Sequence, residues 1–223
     1  MSALFQALFF PIMPKKWRRY LVNVWAKNLL KILRIKLTVH GQVTYLKNRD
    51  SFLLVSNHIS WLDIHVLNAI RPVTFVAKAE VSSWPIFGYL AKIIGTIFLK
   101  RGKLSDLKKV VYDIKKEIVS SGVVAIFPEG TSSDGQEVLP FKSNLFQSAI
   151  DSNCDVLPVR LIYQERRRHS DKTAFIGDMS LIESIKNVLS SNDIHVLVHV
   201  HEPLTNGINR YDLCSQSYES IIR

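Results

Sequence analysis

The sequence has no apolar run near the roughly 20 residues that a helix needs to cross a bilayer, and it has no internal repeat or low-complexity tract. Cysteine is almost absent: Cys154 and Cys214 are the only two, and neither sits in a metal-type or redox-type spacing. Two free thiols in a reducing compartment are expected. No Gly-x-Ser-x-Gly elbow occurs, which sets aside a serine hydrolase of the α/β type. The first apolar segment has no basic stretch before it and no small-residue cleavage site after it. A secretory leader is therefore not expected, and the chain is placed on the cytoplasmic side. Acidic residues are scarce as well. With 19 Asp and Glu against 29 Lys and Arg the net charge is +10, so the surface this protein meets should be anionic. Nucleic acid, anionic lipid and an acidic carrier protein all qualify. What is abundant is apolar side chain: 47% hydrophobic and 22% charged residues over 223 positions fit one folded domain, neither disordered nor polytopic.

The amino-terminal stretch decides between lipid and nucleic acid. Phe5, Leu8, Phe9, Phe10 and Ile12 form an apolar run at a chain end, where tails are ordinarily polar. Lys15, Lys16, Arg18 and Arg19 follow. Then Leu21, Val24, Trp25, Leu29, Ile32 and Leu33 recur at helical spacing, with Lys27, Lys31, Arg34 and Lys36 interleaved. Such a basic amphipathic helix lies in the plane of a membrane interface, with Trp17, Tyr20 and Trp25 at headgroup depth and the cations on anionic lipid. Residues 1–36 are read as a membrane-associating helical segment, and 37–223 as the domain that carries the chemistry. This places the protein at the inner, cytoplasmic membrane, peripheral or monotopic on its cytoplasmic face. The alternative is a first core helix with a solvated basic face.

Beyond Gly41 the pattern alternates. Strand-like runs stand at 52–56, 74–78, 96–99, 123–127, 156–161 and 195–201, and helical periods cover 62–70, 85–94, 104–120, 143–152, 181–190 and 209–222. This alternation predicts an α/β fold with a mostly parallel central sheet flanked by helices. Its nearly all-apolar strands should be covered on both faces. Functional groups of such sheets gather beyond the carboxyl ends of the strands, which picks out 57–63, 100–102 and 128–133.

The first of these loops reads SNHISWLD. His58 follows the strand directly and Asp63 comes after four intervening residues, a spacing that does not stack two side chains on one face of a helix. The pair can meet if a helix begins between them. Ser60 is a good N-cap, and Asp63 then falls at the third helical position with its side chain pointing back toward His58. A carboxylate on one imidazole nitrogen fixes the tautomer and strengthens the other nitrogen as a base. The plain alternative is a capping box beside a loop histidine. The third loop, FPEGTSSDG, sets Glu129 beside Gly130 and Thr131 after an apolar strand, and taken alone it reads equally as a tight turn with an exposed glutamate.

Together NHISWLD and FPEGT resemble the paired signatures of the glycerolipid acyltransferases, the family of the bacterial lysophosphatidate acyltransferase, in that family's order and spacing. Between them Lys78, Glu80, Pro85, Gly88, Gly95 and Arg101 match its Lys-x-Glu, Pro-x-x-Gly and Gly-plus-basic blocks. PFKSNLF and the VLPVRL run around Pro158 match the blocks that follow. The resemblance covers nearly the whole chain. It implies transfer without an acyl-enzyme: His58, held by Asp63, is the general base on an acceptor hydroxyl that attacks the thioester carbonyl of acyl carrier protein or acyl-CoA. Backbone donors near the loop stabilise the oxyanion. The same resemblance implies that Arg101 meets the acceptor phosphate, and that Asn57, Glu129, Gly130, Thr131 and Lys142 belong to substrate binding. It implies no metal and no redox cofactor. The implied acceptor is a lysophospholipid, 1-acyl-glycerol-3-phosphate, converted to phosphatidic acid, and nucleic acid drops out as a partner.

One departure bears on the acceptor. Many members that use lysophosphatidate carry a basic residue directly after the Gly-Thr of the second signature, where this chain has Ser132, Ser133, Asp134 and Gly135. The TSSDG form and the later FIGDMSLIESI stretch look more like the branch that includes lyso-ornithine lipid acyltransferases. Lys100, Arg101 and Lys142 remain available to hold a phosphate. The run Arg166, Arg167, Arg168 and His169, ordinarily a solvated loop, carries the non-catalytic alternative of a basic protein that binds anionic membrane. His195, His199 and His201 share one strand face by alternation and are read as solvent-facing or satisfied rather than as metal ligands.

Overall fold

The computed structural model describes residues 13–84, 87–100, 102–120, 122–205 and 209–223. The apolar run at 4–12, Pro85 and Arg101 lie outside the described residues. Helix α1 (Lys15–Ile32) leads into strand β1 (Lys36–Gly41) and the short helix α2 (Val43–Asn48). Alternation then sets in with β2 (Phe52–Ser56), α3 (Leu62–Ile70), β3 (Thr74–Lys78), α4 (Phe87–Ile93), β4 (Ile97–Leu99), α5 (Leu104–Val119) and β5 (Val123–Ile126). After these come α6 (Gln147–Ser152), β6 (Val156–Glu165), β7 (Arg168–His169), α7 (Leu181–Ser190), β8 (Ile194–Val200) and α8 (Arg210–Ile222).

The strands form one sheet in the order β1-β8-β6-β2-β5-β3-β4, with β7 against β6. Strands β6, β2, β5, β3 and β4 run parallel, as the alternation of elements predicts. The β8–β6 pairing is antiparallel and β1 runs parallel to β8, so one edge of the sheet is reversed. Period-two alternation loads both faces. Phe52 and Leu54 enter a core shared with α1, α2, α3 and α7, whereas Leu53 and Val55 enter a second core shared with α5 and α8. Helix α5 meets that second core with Val110, Ile114 and Ile118, spaced by four residues.

Lys36, read as part of the basic helix, instead opens β1. The helix stops in a Schellman arrangement: Arg34 turns left-handed at φ 56°, its N–H bonds to Lys31 O, and the N–H of Ile35 bonds back to Leu30 O at 2.8 Å. Ile35 and Leu30 are both buried in the first core, the apolar contact that accompanies this stop. Strand β1 then pairs with β8 from Lys36↔His195 onward, a ladder that no local pattern announces.

Helix α1 divides its surface. Ala26 and Leu30 are buried in the core, and the Asn23 amide donates to Asn68 O and Ala69 O at 2.8 and 3.0 Å, closing the last turn of α3. Lys15 and Arg19 stand 2.8 and 3.5 Å from Glu117 of α5. Trp17, Tyr20 and Ile32 remain outward, 61%, 59% and 72% exposed. Among the described residues no helix is long and apolar enough to cross a membrane. Cys154 and Cys214 are both free thiols.

Candidate active site

Strands β2 and β5 are neighbours in parallel register, Phe52↔Val123 through Val55↔Ile126, so their carboxyl ends deliver the His58 and Glu129 loops side by side. His58 Nδ1 lies 2.7 Å from Asp63 Oδ2. That oxygen also accepts the N–H groups of Ile59 and Ser60 at 2.7 and 3.0 Å, and Asp63 Oδ1 accepts the Tyr163 hydroxyl at 2.7 Å. Asp63 is wholly buried.

Local chemistry explains how the pair meets. Trp61 already has helical dihedrals, φ −58° and ψ −21°, ahead of α3. Asp63 reaches back onto the Ser60 N–H as the acid of a capping box does. The reciprocal half is missing: Ser60 Oγ is buried without a partner among the described residues, so the expected Ser60 hydroxyl cap does not form.

The imidazole is fixed from several directions. It stacks on Phe127 at 4.2 Å between centroids with a 14° tilt. The His58 N–H donates to Glu129 Oε1 at 2.6 Å, and His58 O accepts the Ser133 N–H at 2.9 Å. With an ionised carboxylate on Nδ1, that nitrogen carries the proton and Nε2 carries the lone pair. Nε2 makes no hydrogen bond among the described residues, and the ring lines a cavity of about 790 Å³. Apolar walls come from Leu21 and Trp25 of α1, Val76 of β3, Leu99 of β4 and Phe127, while Lys78, Lys100, Lys103 and Lys142 also line it. His65 sits in the same wall between Trp25 and Trp61, at 4.9 and 5.7 Å between ring centroids. Burial pushes its pKa down to about 4, so it is a neutral ring near neutral pH.

The residues expected in the site separate into two groups. His58 and Asp63 come together, and Gly130, Thr131 and Lys142 line the cavity, with Gly130 at φ 73°. Asn57 and Glu129, expected in substrate binding, make internal hydrogen bonds and do not line the cavity. Asn57 spends its whole amide on β6, donating to Leu161 O at 2.9 Å and accepting Leu161 N–H at 2.7 Å, and is 3% exposed. Glu129, also 3% exposed, accepts His58 N–H with one oxygen and Leu139 N–H with the other at 2.9 Å. Burial pushes its carboxyl above the usual range, against the pull of those donors. It shapes the wall without reaching the cavity. Arg101 lies outside the described residues, although Lys100 and Lys103 on either side of it line the cavity.

Ser132, where a cation was noted as missing, donates its hydroxyl to Phe175 O and so ties the loop to the segment after β7. Arg166 and Arg167 form a two-residue turn between β6 and β7, both left-handed at φ 50° and 65°, and stand exposed. His195 bonds Thr38 Oγ1 at 2.7 Å and His199 faces solvent. Tyr163 was not singled out from the sequence. Its signal was a polar-tipped aromatic in the otherwise apolar inward row of β6, two residues past Leu161.

Known proteins share this fold and sequence. The crystal structure of the 1-acyl-sn-glycerophosphate acyltransferase of Thermotoga maritima shares the fold, with a TM-score of 0.72 over 99% of this chain and 84% of that chain at 22% identity. The acyltransferase family model matches residues 36–162. A lyso-ornithine lipid O-acyltransferase of Pseudomonas aeruginosa is 31% identical over 205 residues, 92% of this chain and 78% of that protein. One from Rhizobium meliloti is 34% identical over 84% of this chain and 68% of its own. A 1-acyl-sn-glycerol-3-phosphate acyltransferase of Neisseria gonorrhoeae is 31% identical over 83% of this chain and 71% of its own. The fold is that of an α/β acyl-group transferase. The chain belongs to the glycerolipid acyltransferase family.

Proposed function

We propose that this enzyme moves a fatty acyl group from a thioester, on acyl carrier protein or acyl-CoA, to the free hydroxyl of a lysolipid collected at an anionic membrane surface. The observation that carries the reading is the His58–Asp63 pair, with the open ring nitrogen beside a large apolar cavity. Nε2 takes the acceptor hydroxyl proton as the oxygen attacks the thioester carbon, and Asp63 stabilises the imidazolium that forms. Collapse of the tetrahedral intermediate breaks the C–S bond, and the imidazolium returns its proton to the leaving thiolate. Backbone donors of Thr131 and Ser132, which line the cavity, serve the oxyanion. The apolar walls suit the acyl chain, and Lys100, Lys103 and Lys142, with Arg101 in the same stretch, suit an anionic headgroup.

The preferred acceptor is 1-acyl-glycerol-3-phosphate, giving phosphatidic acid. Lyso-ornithine lipid is the second reading, favoured by Ser132 in place of a cation and by the names of the two relatives above. Purified enzyme given one labelled acyl donor and a panel of both acceptors decides. The lysine rim predicts at least about tenfold higher kcat/KM on the phosphate-bearing acceptor. Preference for lyso-ornithine lipid would reverse the assignment, and acylation of neither would remove the function.

Membrane docking by α1 is part of the same proposal. Deleting residues 1–36 would also strip Ala26 and Leu30 from the core, so Trp17→Ala with Tyr20→Ala is the cleaner variant. Flotation with anionic liposomes in about 0.1 and 1 M salt should show binding weakened by salt and by the double variant. Binding indifferent to both would remove α1 as the docking element.

A further inference from the structure

Asp63 is buried, and its two oxygens are served unequally. Oδ2 accepts from His58 Nδ1, Ile59 N–H and Ser60 N–H, whereas Oδ1 has one donor among the described residues, the Tyr163 hydroxyl at 2.7 Å. Tyr163 is 0% exposed, so bulk water does not compete for that contact. Its ring belongs to the core formed with Val159 and Leu161, and for packing alone a phenylalanine would fill the same place. A phenol hydroxyl buried there is costly unless it is bonded, and the bond it makes is to the carboxylate that orients the ring of His58.

The position of Tyr163 is itself defined. Two residues earlier on β6 the Asn57 amide grips both backbone groups of Leu161, and Tyr163 O accepts the Ser170 N–H at 3.1 Å. Strand β6 is thereby locked to the His58 loop at the level of the hydroxyl. Burial, and then the neighbouring Asp63 charge, push the Tyr163 hydroxyl well above its usual range, so it stays a proton donor at any pH the enzyme works in.

We propose that Tyr163 is a positioning residue that acts through Asp63: its hydroxyl holds the carboxylate in the rotation that presents Oδ2 to His58. The proposal rests on His58 as the base. Without the hydroxyl, Oδ1 is an unpartnered buried oxygen, and the ring that the carboxylate orients loses its alignment and its charge support. The titratable groups that face this carboxylate are His58, Tyr163 and, across the loop, Glu129.

Tyr163→Phe in the full chain tests it. The expected result is a fall in kcat of about tenfold with KM for donor and acceptor unchanged, and an acidic limb of the kcat/KM profile moved up by about one pH unit. In an Asp63→Asn background the same substitution should add no further loss. An unchanged acidic limb, or full additivity with Asp63→Asn, overturns the proposal. If Tyr163→Phe fails to fold, 3,5-difluorotyrosine at 163 supplies a stronger donor of nearly the same shape. The acidic limb should then move to lower pH, and an unmoved limb overturns the proposal equally. His58→Ala run alongside separates the two layers. Near wild-type turnover there removes the base and the proposal with it. An inactive His58→Ala beside a wild-type-like Tyr163→Phe removes Tyr163 alone.

Discussion

Among the described residues, two tyrosine–aspartate pairs stand at opposite ends of the same strands. At the amino ends of β2 and β6, the Tyr45 hydroxyl donates to Asp155, and Arg49 stands 3.7 Å from that carboxylate. At the carboxyl ends, Tyr163 donates to Asp63, and His58 stands 2.7 Å from it. The pairing is the same and the third member differs. Arginine stays charged and closes the first cluster, whereas histidine leaves one nitrogen for the cavity and can exchange a proton there. A tyrosine–aspartate pair alone therefore does not mark the site. A group whose charge can change, next to space for a substrate, does.

The sharpest way to break this comparison is to neutralise each carboxylate. Asp63→Asn is expected to lower kcat by roughly 10²–10⁴-fold, because the ring loses its tautomer and its charge partner. Asp155→Asn is expected to leave kcat within about twofold and to cost on the order of 1 kcal/mol of stability. Steady-state kinetics and denaturant unfolding of both variants check this, and equal kinetic losses would erase the distinction between the two ends.

Acid should weaken the fold through the wall of the active end. The folded pKa of His65, about 4, lies below its ordinary 6.5, so the fold favours the neutral ring. Its contribution is fully present above pH 6.5 and is lost as pH falls from there toward about 4, because only the unfolded chain takes up the proton. The loss amounts to at most about 3 kcal/mol. Urea unfolding at pH 7 and 4.5 should show the drop, and His65→Gln should shrink it. A His65→Gln protein with the full drop would contradict the burial assigned to this ring.

The smallest effect belongs to the rim. Lys142 is exposed, so Lys142→Ala should raise KM for a phosphate-bearing acceptor by only about three- to fivefold and leave the donor KM alone. An equal rise in both constants would place Lys142 on the donor side.

These ends were legible to different degrees. Strands β2 and β3 and helices α3 and α7 matched the sequence reading residue for residue, since three or four consecutive apolar residues between polar ones, or a sustained helical period, leave little freedom. The His58–Asp63 contact was legible because its logic is local, a helix start between two residues five apart. Strand β1 was missed because it is a half-exposed edge strand opening on Lys36, and its partner lies 159 residues away in the Lys36↔His195 pairing. Tyr163 reaches Asp63 across 100 positions, and Glu129 reaches His58 across 71, so neither bond leaves a trace in spacing. Asn57 shows the same limit from the other side. It sits inside the signature, yet its amide is given to the backbone of β6.

The central claim is that the open nitrogen of His58 is the base for acyl transfer. Single-turnover transfer of a labelled acyl group by His58→Ala, compared with wild type after both are shown to be folded by circular dichroism and thermal melting, tests it most directly. The account predicts a chemical step slowed by roughly 10²–10⁴-fold with substrate binding retained. A folded His58→Ala enzyme that transfers acyl groups at near wild-type rate would contradict it.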